Sequence, residues 1–249
     1  MNPKAKRVLE TLYPESRLSG FARNDHRVLF FTLIHSVLRP EMNVLDYGAG
    51  RGKWAELETG YKRALTTLKG RCARLTGCDI DPAVRDNPLI DEAVVIEPDA
   101  PLPFPDAHFD IITSWAVLEH VDNPAAAAAE IARVLKPGGV FFAWTPNKWG
   151  YVGIGARLIP NRFHARMLRG LDTGGRRGED VFPTRYRLNT VGAVSRYFPA
   201  DDFENLSFIH TGPPAYHGGN LFLARFWRLY NALVPPALGQ SLFVVARKR

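Results

Sequence analysis

Residues 44–54 read Val-Leu-Asp-Tyr-Gly-Ala-Gly-Arg-Gly-Lys-Trp. An apolar run stops at a carboxylate, Asp46, and glycines follow at 48, 50 and 52. Glycine has no Cβ and adopts positive φ freely, so this spacing lets the chain turn tightly past a strand and come close to a ligand. Two phosphate-binding patterns fail on residue identity. A dinucleotide fingerprint needs Gly-x-Gly-x-x-Gly, and the completing position is Lys53; a phosphate loop needs Ser or Thr after Gly-Lys, where Trp54 stands. A carboxylate aimed into the turn repels pyrophosphate but accepts hydrogen bonds from an ammonium group. Taken alone, the stretch also fits a tight strand-to-helix turn with no ligand.

The 249 residues, 46% hydrophobic and 23% charged, suffice for one generous domain with a sizeable core. No N-terminal apolar run resembles a signal peptide, and no stretch reaches the ~20 apolar residues of a spanning helix. Cys72 and Cys78 are the only cysteines, with no His at ligand spacing. The expectation is a cytoplasmic chain with reduced thiols and no structural zinc. The net charge of +7 is unevenly spread. Residues 41–150 hold 11 Lys and Arg against 16 Asp and Glu, whereas 151–190 hold 8 Arg against 3 acids and 221–249 hold 5 basic groups and no acid. Such basic segments suit anionic partners, or else form solvated faces.

Short apolar runs near 43–47, 74–79, 92–97, 109–114 and 139–145 alternate with helical patterns near 52–69, 82–87 and 124–135. The last helix opens at Asn123-Pro124 and stops at Lys136-Pro137-Gly138-Gly139. Such alternation predicts an α/β fold: a doubly wound, mostly parallel sheet with helices on both faces and the ligand beyond the carboxyl ends of the strands. The single domain divides into a helical N-terminal lead (1–40), a core (41–147), an Arg- and Gly-rich insertion (148–187) and a C-terminal half (188–249). In that half a short helix capped at Asn189-Thr190, strands at 203–209 and 241–247, and an amphipathic helix at 221–233 are expected. On this helix the apolar residues share one broad face and Arg225, Arg228 and Asn231 the other. Packing of the apolar face on the protein's own core is the first reading, and lying in a membrane interface the second.

Four ordered segments resemble the class I S-adenosylmethionine-dependent methyltransferases, in particular the small-molecule group that includes quinone-biosynthesis enzymes. They are Val44–Gly52, Gly77-Cys-Asp-Ile-Asp-Pro82, Pro98–Val121 and Ala132-Arg-Val-Leu-Lys-Pro-Gly-Gly-Val140. The resemblance covers about residues 41–147 and implies a Rossmann-like seven-stranded sheet of order 3-2-1-4-5-7-6 with an antiparallel last strand and an added helical cap. It implies S-adenosylmethionine as cofactor. Asp46 and the backbone of Gly48, Ala49 and Gly50 would hold the methionine moiety. Asp79 would accept the ribose hydroxyls, Ile80 would cover an adenine face, and Asp99 and the Ala100 amide would meet the adenine edge. Ser114 and Trp115 would lie beside the sulfonium.

Methyl transfer from a sulfonium is an in-line displacement, so placement of the acceptor is the main task. For a hydroxyl acceptor a general base helps, and His120 is the candidate; bracing the turn is its alternative role. Some relatives carry Glu-x-x-Glu-His here as a metal set, but the first position is Ala116, so no metal is expected. Arg162, Arg166, Arg169, Arg176 and Arg177 of the insertion could clamp an anionic acceptor. The insertion is similar to those of bacterial methyltransferases acting on envelope sugars or lipids, and with the basic helix at 221–233 this resemblance implies O-methylation of a small molecule or an envelope glycan or lipid-linked hydroxyl. A nucleic-acid acceptor is the alternative; Ser114-Trp-Ala-Val117 stands where amino-methylating nucleic-acid enzymes carry Asn/Asp-Pro-Pro-Tyr/Phe, and neither cysteine follows a proline. A non-catalytic cofactor-binding or membrane-docking protein is the remaining one. Peripheral contact with the inner face of a membrane through 221–233 fits the basic C-terminal segment.

Overall fold

The computed structural model describes residues 3–57, 60–158 and 183–249. The arginines at 162–177 on which an anion clamp was read therefore lie outside the described residues. The N-terminal lead forms helices α1 (Pro3–Leu12), α2 (Ser16–Ser19) and α3 (His26–Val37). Strand β1 (Asn43–Tyr47) runs into the glycine turn, followed by α4 (Trp54–Leu57), α5 (Gly60–Thr66) and β2 (Arg74–Asp79). Then come β3 (Glu92–Val95), β4 (Phe109–Trp115), α6 (Pro124–Val134), β5 (Leu135–Pro146) and α7 (Tyr151–Leu158). The C-terminal half supplies α8 (Val191–Tyr197), β6 (Phe203–Asn205), β7 (Phe208–His210), α9 (Leu221–Leu233) and β8 (Ser241–Lys248).

The sheet order is β3-β2-β1-β4-β5-β8-β6, with β7 also paired to β8. The first five strands are parallel and β8 is antiparallel to its neighbours. The expected sixth strand at 203–209 is split into β6 and β7, which pair with β8 in one common register. Between them the Ser207 hydroxyl, rather than a backbone carbonyl, accepts from Val245 N–H, so the ladder is interrupted without slipping. With that split, the order is the expected seven-stranded one.

Neighbouring residues along each central strand enter opposite cores, as the two-residue period of a strand requires. Val44, Ile111, Phe142 and Phe243 pack with Phe30, Ile34 and Leu65 from α3 and α5. Leu45, Ile112, Phe141 and Val244 pack with Ile131 and Val134 from α6, Val194 from α8 and Phe198 just after it. Each such fully buried side chain contributes on the order of 1.5–3 kcal/mol. A third cluster, Val8, Leu12, Tyr13 and Ala224, joins α1 to α9.

Two helical expectations and one strand boundary change. The helix read over 52–69 is interrupted, because Gly60 at φ 56° starts α5 separately from α4. Residues Pro82–Asp86 form a 3-10 turn rather than an α-helix: Asp81 caps it through Ala83 N–H, and Asn87 before Pro88 ends it in extended backbone. Helix α6 passes directly into β5, and Lys136–Gly139 bulge out between the pairs Phe109–Leu135 and Ile111–Val140. Among the described residues no helix is long and apolar enough to cross a membrane.

Candidate active site

A cleft of about 920 Å³ opens past the carboxyl ends of β1–β5. All ten expected cofactor residues and His120 line it. One half is built by the ends of β1, β2 and β3. Gly48 and Gly50 stand at φ 82° and 54°, a region where glycine is favoured. A Cβ at Gly48 would meet Val117 Cγ2 at 2.2 Å, so the loop lies hard against the chain leaving β4. The turn is closed internally: Gly48 and Ala49 amides donate to the Cys78 carbonyl at 2.8 and 3.1 Å, and the Gly50 amide donates to Asp79 Oδ2 at 2.8 Å. These three amides are thus used inside the protein, and the two glycines leave the rest of the turn's backbone open to close approach.

Asn87 has no counterpart in the sequence reading. Its amide donates to the carbonyls of Ala49 and Gly50, both at 3.1 Å, and its side chain fills the space that a Cβ at Gly52 would need. Nothing in its local sequence marks it as a latch for a loop 37 residues earlier.

Asp46 accepts from Thr113 Oγ1 at 3.2 Å. Desolvation in the cleft, aided by the nearby Asp79 carboxylate and opposed by the Thr113 bond, raises its pKa to about 6. Asp79 accepts from the Gly50 and Asp81 amides on separate oxygens, at 2.8 and 2.9 Å, which fixes the carboxylate's orientation. Its pKa is also raised, by burial first. Ile80, 46% exposed, presents an apolar face to the cleft just beyond Asp79. Asp99 stands in the left-handed region at φ 57°, and the Ala100 amide lies 3.4 Å from the Glu97 carbonyl. The proline-rich loop carrying both is clamped by Arg133, which donates to the carbonyls of Leu102 and Phe104 and to Glu130 and Asp106.

The other half of the cleft is aromatic. Trp115 stacks on Trp144 with centroids 4.5 Å apart and planes 10° from parallel. His26 stacks on Trp144 at 4.9 Å, and Phe30 meets Trp115 edge-on at 5.2 Å. Burial lowers the His26 pKa to about 4, so this ring is neutral at physiological pH. Across the mouth Tyr151 of α7 stacks on Trp227 of α9 at 4.3 Å. The Ser114 hydroxyl, fully buried, donates to the Tyr47 carbonyl at 2.9 Å and ties β4 to β1.

His120 follows β4 at the junction of the two halves. Its Nδ1 lies 2.9 Å from the Pro183 carbonyl, which can only accept, so Nδ1 carries a proton; in the neutral ring the lone pair is then on Nε2. Nε2 is 3.9 Å from Glu119 Oε1. The buried Glu119 accepts from Thr145 Oγ1 at 2.8 Å, and Asn189 donates to Thr145 Oγ1 and to the Pro146 carbonyl. This network joins the turn after β4 to the end of β5, and the sequence reading did not find it.

Two oriented carboxylates, a tight glycine turn and an exposed apolar edge make a cleft suited to a cationic nucleoside in a Rossmann-like α/β protein. Residues 19–206 match the methyltransferase domain family, and the chain belongs to that family. It is 35% identical over 178 residues to the ubiquinone/menaquinone biosynthesis C-methyltransferase UbiE of Laribacter hongkongensis, covering 63% of this chain and 69% of that protein. It is 33% identical over 183 residues to a "probable S-adenosylmethionine-dependent methyltransferase" of Mycolicibacterium smegmatis, covering 67% and 65%. Against the UbiE of Shewanella pealeana the matched stretch spans 44% of that protein's length. A methyltransferase structure from Methanosarcina mazei superposes with a TM-score of 0.53 over 87% of this chain and 96% of that one, at 21% identity, a likeness of fold. The cofactor is S-adenosylmethionine, and the chain is an enzyme that transfers its methyl group.

The cleft fits this cofactor. We assign Asp46 to the ammonium group, Asp79 to the ribose hydroxyls, Ile80 and Asp99 to the adenine, and the Gly48–Gly50 surface to close backbone approach. Asp79→Ala should weaken S-adenosylmethionine binding by about 1–3 kcal/mol, the cost of stranding polar partners, as read by calorimetry. An unchanged dissociation constant would refute the assignment.

Proposed function

We propose that this methyltransferase acts on a large, apolar, lipid-soluble small molecule and methylates one of its hydroxyl groups. The observation that carries this reading is the aromatic wall: Trp144, Phe30, Tyr151 and Trp227 line the cleft together with Trp115, the residue expected beside the sulfonium. Aromatic faces bind flat or extended apolar groups and offer few partners to a polyhydroxylated sugar. Of the envelope acceptors considered from the sequence, a lipid is therefore favoured over a glycan.

When bound, S-adenosylmethionine supplies a methyl group already activated on a sulfonium. The chain's own work is to place the acceptor and take its proton. Trp115 and Trp144 fix the acceptor's plane, and the Glu119–Thr145–Asn189 network holds the strand ends that carry them. His120 Nε2 takes the proton while the Pro183 carbonyl keeps the ring oriented through Nδ1.

A second reading is methylation at carbon of an electron-rich ring, favoured because relatives of this chain are named C-methyltransferases. Incubation with methyl-labelled cofactor and a panel of lipid-soluble phenols, quinols, prenyl alcohols and sugars separates the two. Label on oxygen of an apolar acceptor is expected. Label on ring carbon replaces the first reading by the second, and label on sugars alone defeats both.

A further inference from the structure

Helix α9 turns its apolar stripe outward. Phe222, Phe226, Leu229 and Leu233 are 81, 51, 59 and 74% exposed, at spacings of four, three and four residues that stack them along one side of the helix. The sides turned toward the protein are different. Ala224 is buried against α1, Arg228 donates to the Leu12 carbonyl at 2.9 Å and lies over Tyr13, and Leu223 and Trp227 line the cleft. The first expectation for this helix holds in part: Leu221, Leu223, Ala224 and Trp227 turn toward the protein, whereas four large apolar side chains face away from it and Arg228, though exposed, bonds back to the end of α1.

We infer that this stripe seats the protein on an anionic lipid surface, beside the entrance through which the acceptor reaches the cleft. Two observations select that occupant. The first is charge. Exposed Arg225 flanks the stripe, and residues 205–249 contain no acid. The adjoining helices α1 and α2 add exposed Lys4, Arg7 and Arg17, while their neighbouring acids Glu10 and Glu15 lie near Lys6 and Arg23, at 3.8 and 3.5 Å. The second is continuity. One helix carries both the stripe and the cleft-lining Leu223 and Trp227, so a lipid-soluble molecule in the bilayer meets the aromatic wall without crossing water. At 13 residues, α9 can lie in an interface but cannot span a bilayer.

The continuity rests on the reading of a lipid-soluble acceptor, whereas the exposed stripe and its charge do not depend on which acceptor atom is methylated. Its test is flotation of the full chain with vesicles of phosphatidylcholine alone and of phosphatidylcholine and phosphatidylglycerol in equal parts, without acceptor. Calorimetry with S-adenosylmethionine serves as a check of fold on every sample. The unmodified chain should float with the anionic vesicles, and added salt should weaken binding. The double variant Phe222→Ser/Phe226→Ser should lower the partition coefficient at least about tenfold with cofactor affinity unchanged. Arg225→Glu should lower it on anionic vesicles and not on neutral ones. A cofactor-binding chain that fails to float, or a double variant that floats as well as the parent, overturns the inference. So does a dimer, seen by light scattering, that the double variant dissociates while neither protein binds vesicles; the stripe would then belong to a second copy. Each of these results leaves the reading of the acceptor's chemistry standing, since that is decided by the labelled product.

Discussion

His120→Asn is expected to lower kcat by about 10²- to 10⁴-fold while leaving the dissociation constant of S-adenosylmethionine within about twofold. The substitution is chosen for what it keeps. An asparagine amide can still donate to the Pro183 carbonyl, as His120 Nδ1 does now. It has nothing in the place of Nε2, so it removes a proton acceptor and preserves the brace. If His120 only held the turn after β4, the variant would keep its rate and its melting temperature. If it is the base, the rate falls with cofactor affinity and thermal stability little changed. A variant with full activity would remove His120 from the chemistry.

Asp46→Asn should separate stability from function. The native carboxyl titrates near 6, above an ordinary value of 3.8, because it is desolvated near Asp79. For a group raised in this way, the native state holds a proton that the unfolded chain has released. The stabilisation is therefore complete below about pH 4 and is lost as the pH rises through 6. At neutral pH the ionised side chain is a burden on the cofactor-free protein. Removing it should stabilise that form by about 1–3 kcal/mol at pH 7.5, a rise of several degrees in Tm, and by much less at pH 4. Binding should move the other way. An ammonium group needs the carboxylate, so cofactor affinity in the parent should increase with pH through about 6 and level off above 7. In Asp46→Asn it should be weaker by about 2–5 kcal/mol at neutral pH and nearly flat with pH across that range. Equal or lower Tm at pH 7.5 with undiminished affinity would show that Asp46 faces neither a desolvated pocket nor an ammonium group.

Part of this site was legible because it is written in contiguous residues. Asp46, Gly48 and Gly50 sit within five residues, and their chemistry follows from one requirement, a sharp backbone turn beside a carboxylate at a strand end. Asp79 is legible for the same reason, at the end of the next strand. What escaped is assembled across the chain. Asn87 latches a loop from 37 residues away, Arg133 clamps the loop carrying Asp99, and Glu119, Thr145 and Asn189 form one network from three separate segments. Asparagine, arginine and threonine in turns are common, so none of these positions carries a local signal. Ser114 lines the cleft at the end of β4, and what the sequence does not say is that its hydroxyl donates to the Tyr47 carbonyl.

Helix α9 shows the same division at a larger scale. Its length and its amphipathic character are local properties, and the structure has them where the sequence reading put them, with Asn220 as the cap. Which side is buried is not local. Nearly every position other than the two arginines and Asn231 is apolar, so packing against α1 and α7 chooses the inner face, and the remaining apolar side chains are left outside.

The sequence by itself determined the strand and helix alternation, the Asp-Gly turn that excludes a phosphate ligand, and the two acids that suit a cationic nucleoside. These depend on backbone freedom and charge within a few residues. Only the tertiary structure decided that loop amides are consumed within the turn, that indoles and phenol rings from β4, β5, α7 and α9 make one wall, and that α9 shows its phenylalanines to the outside. Those outcomes depend on which distant surfaces meet, and burial free energy is settled by contacts between segments and not by the order of residues within one.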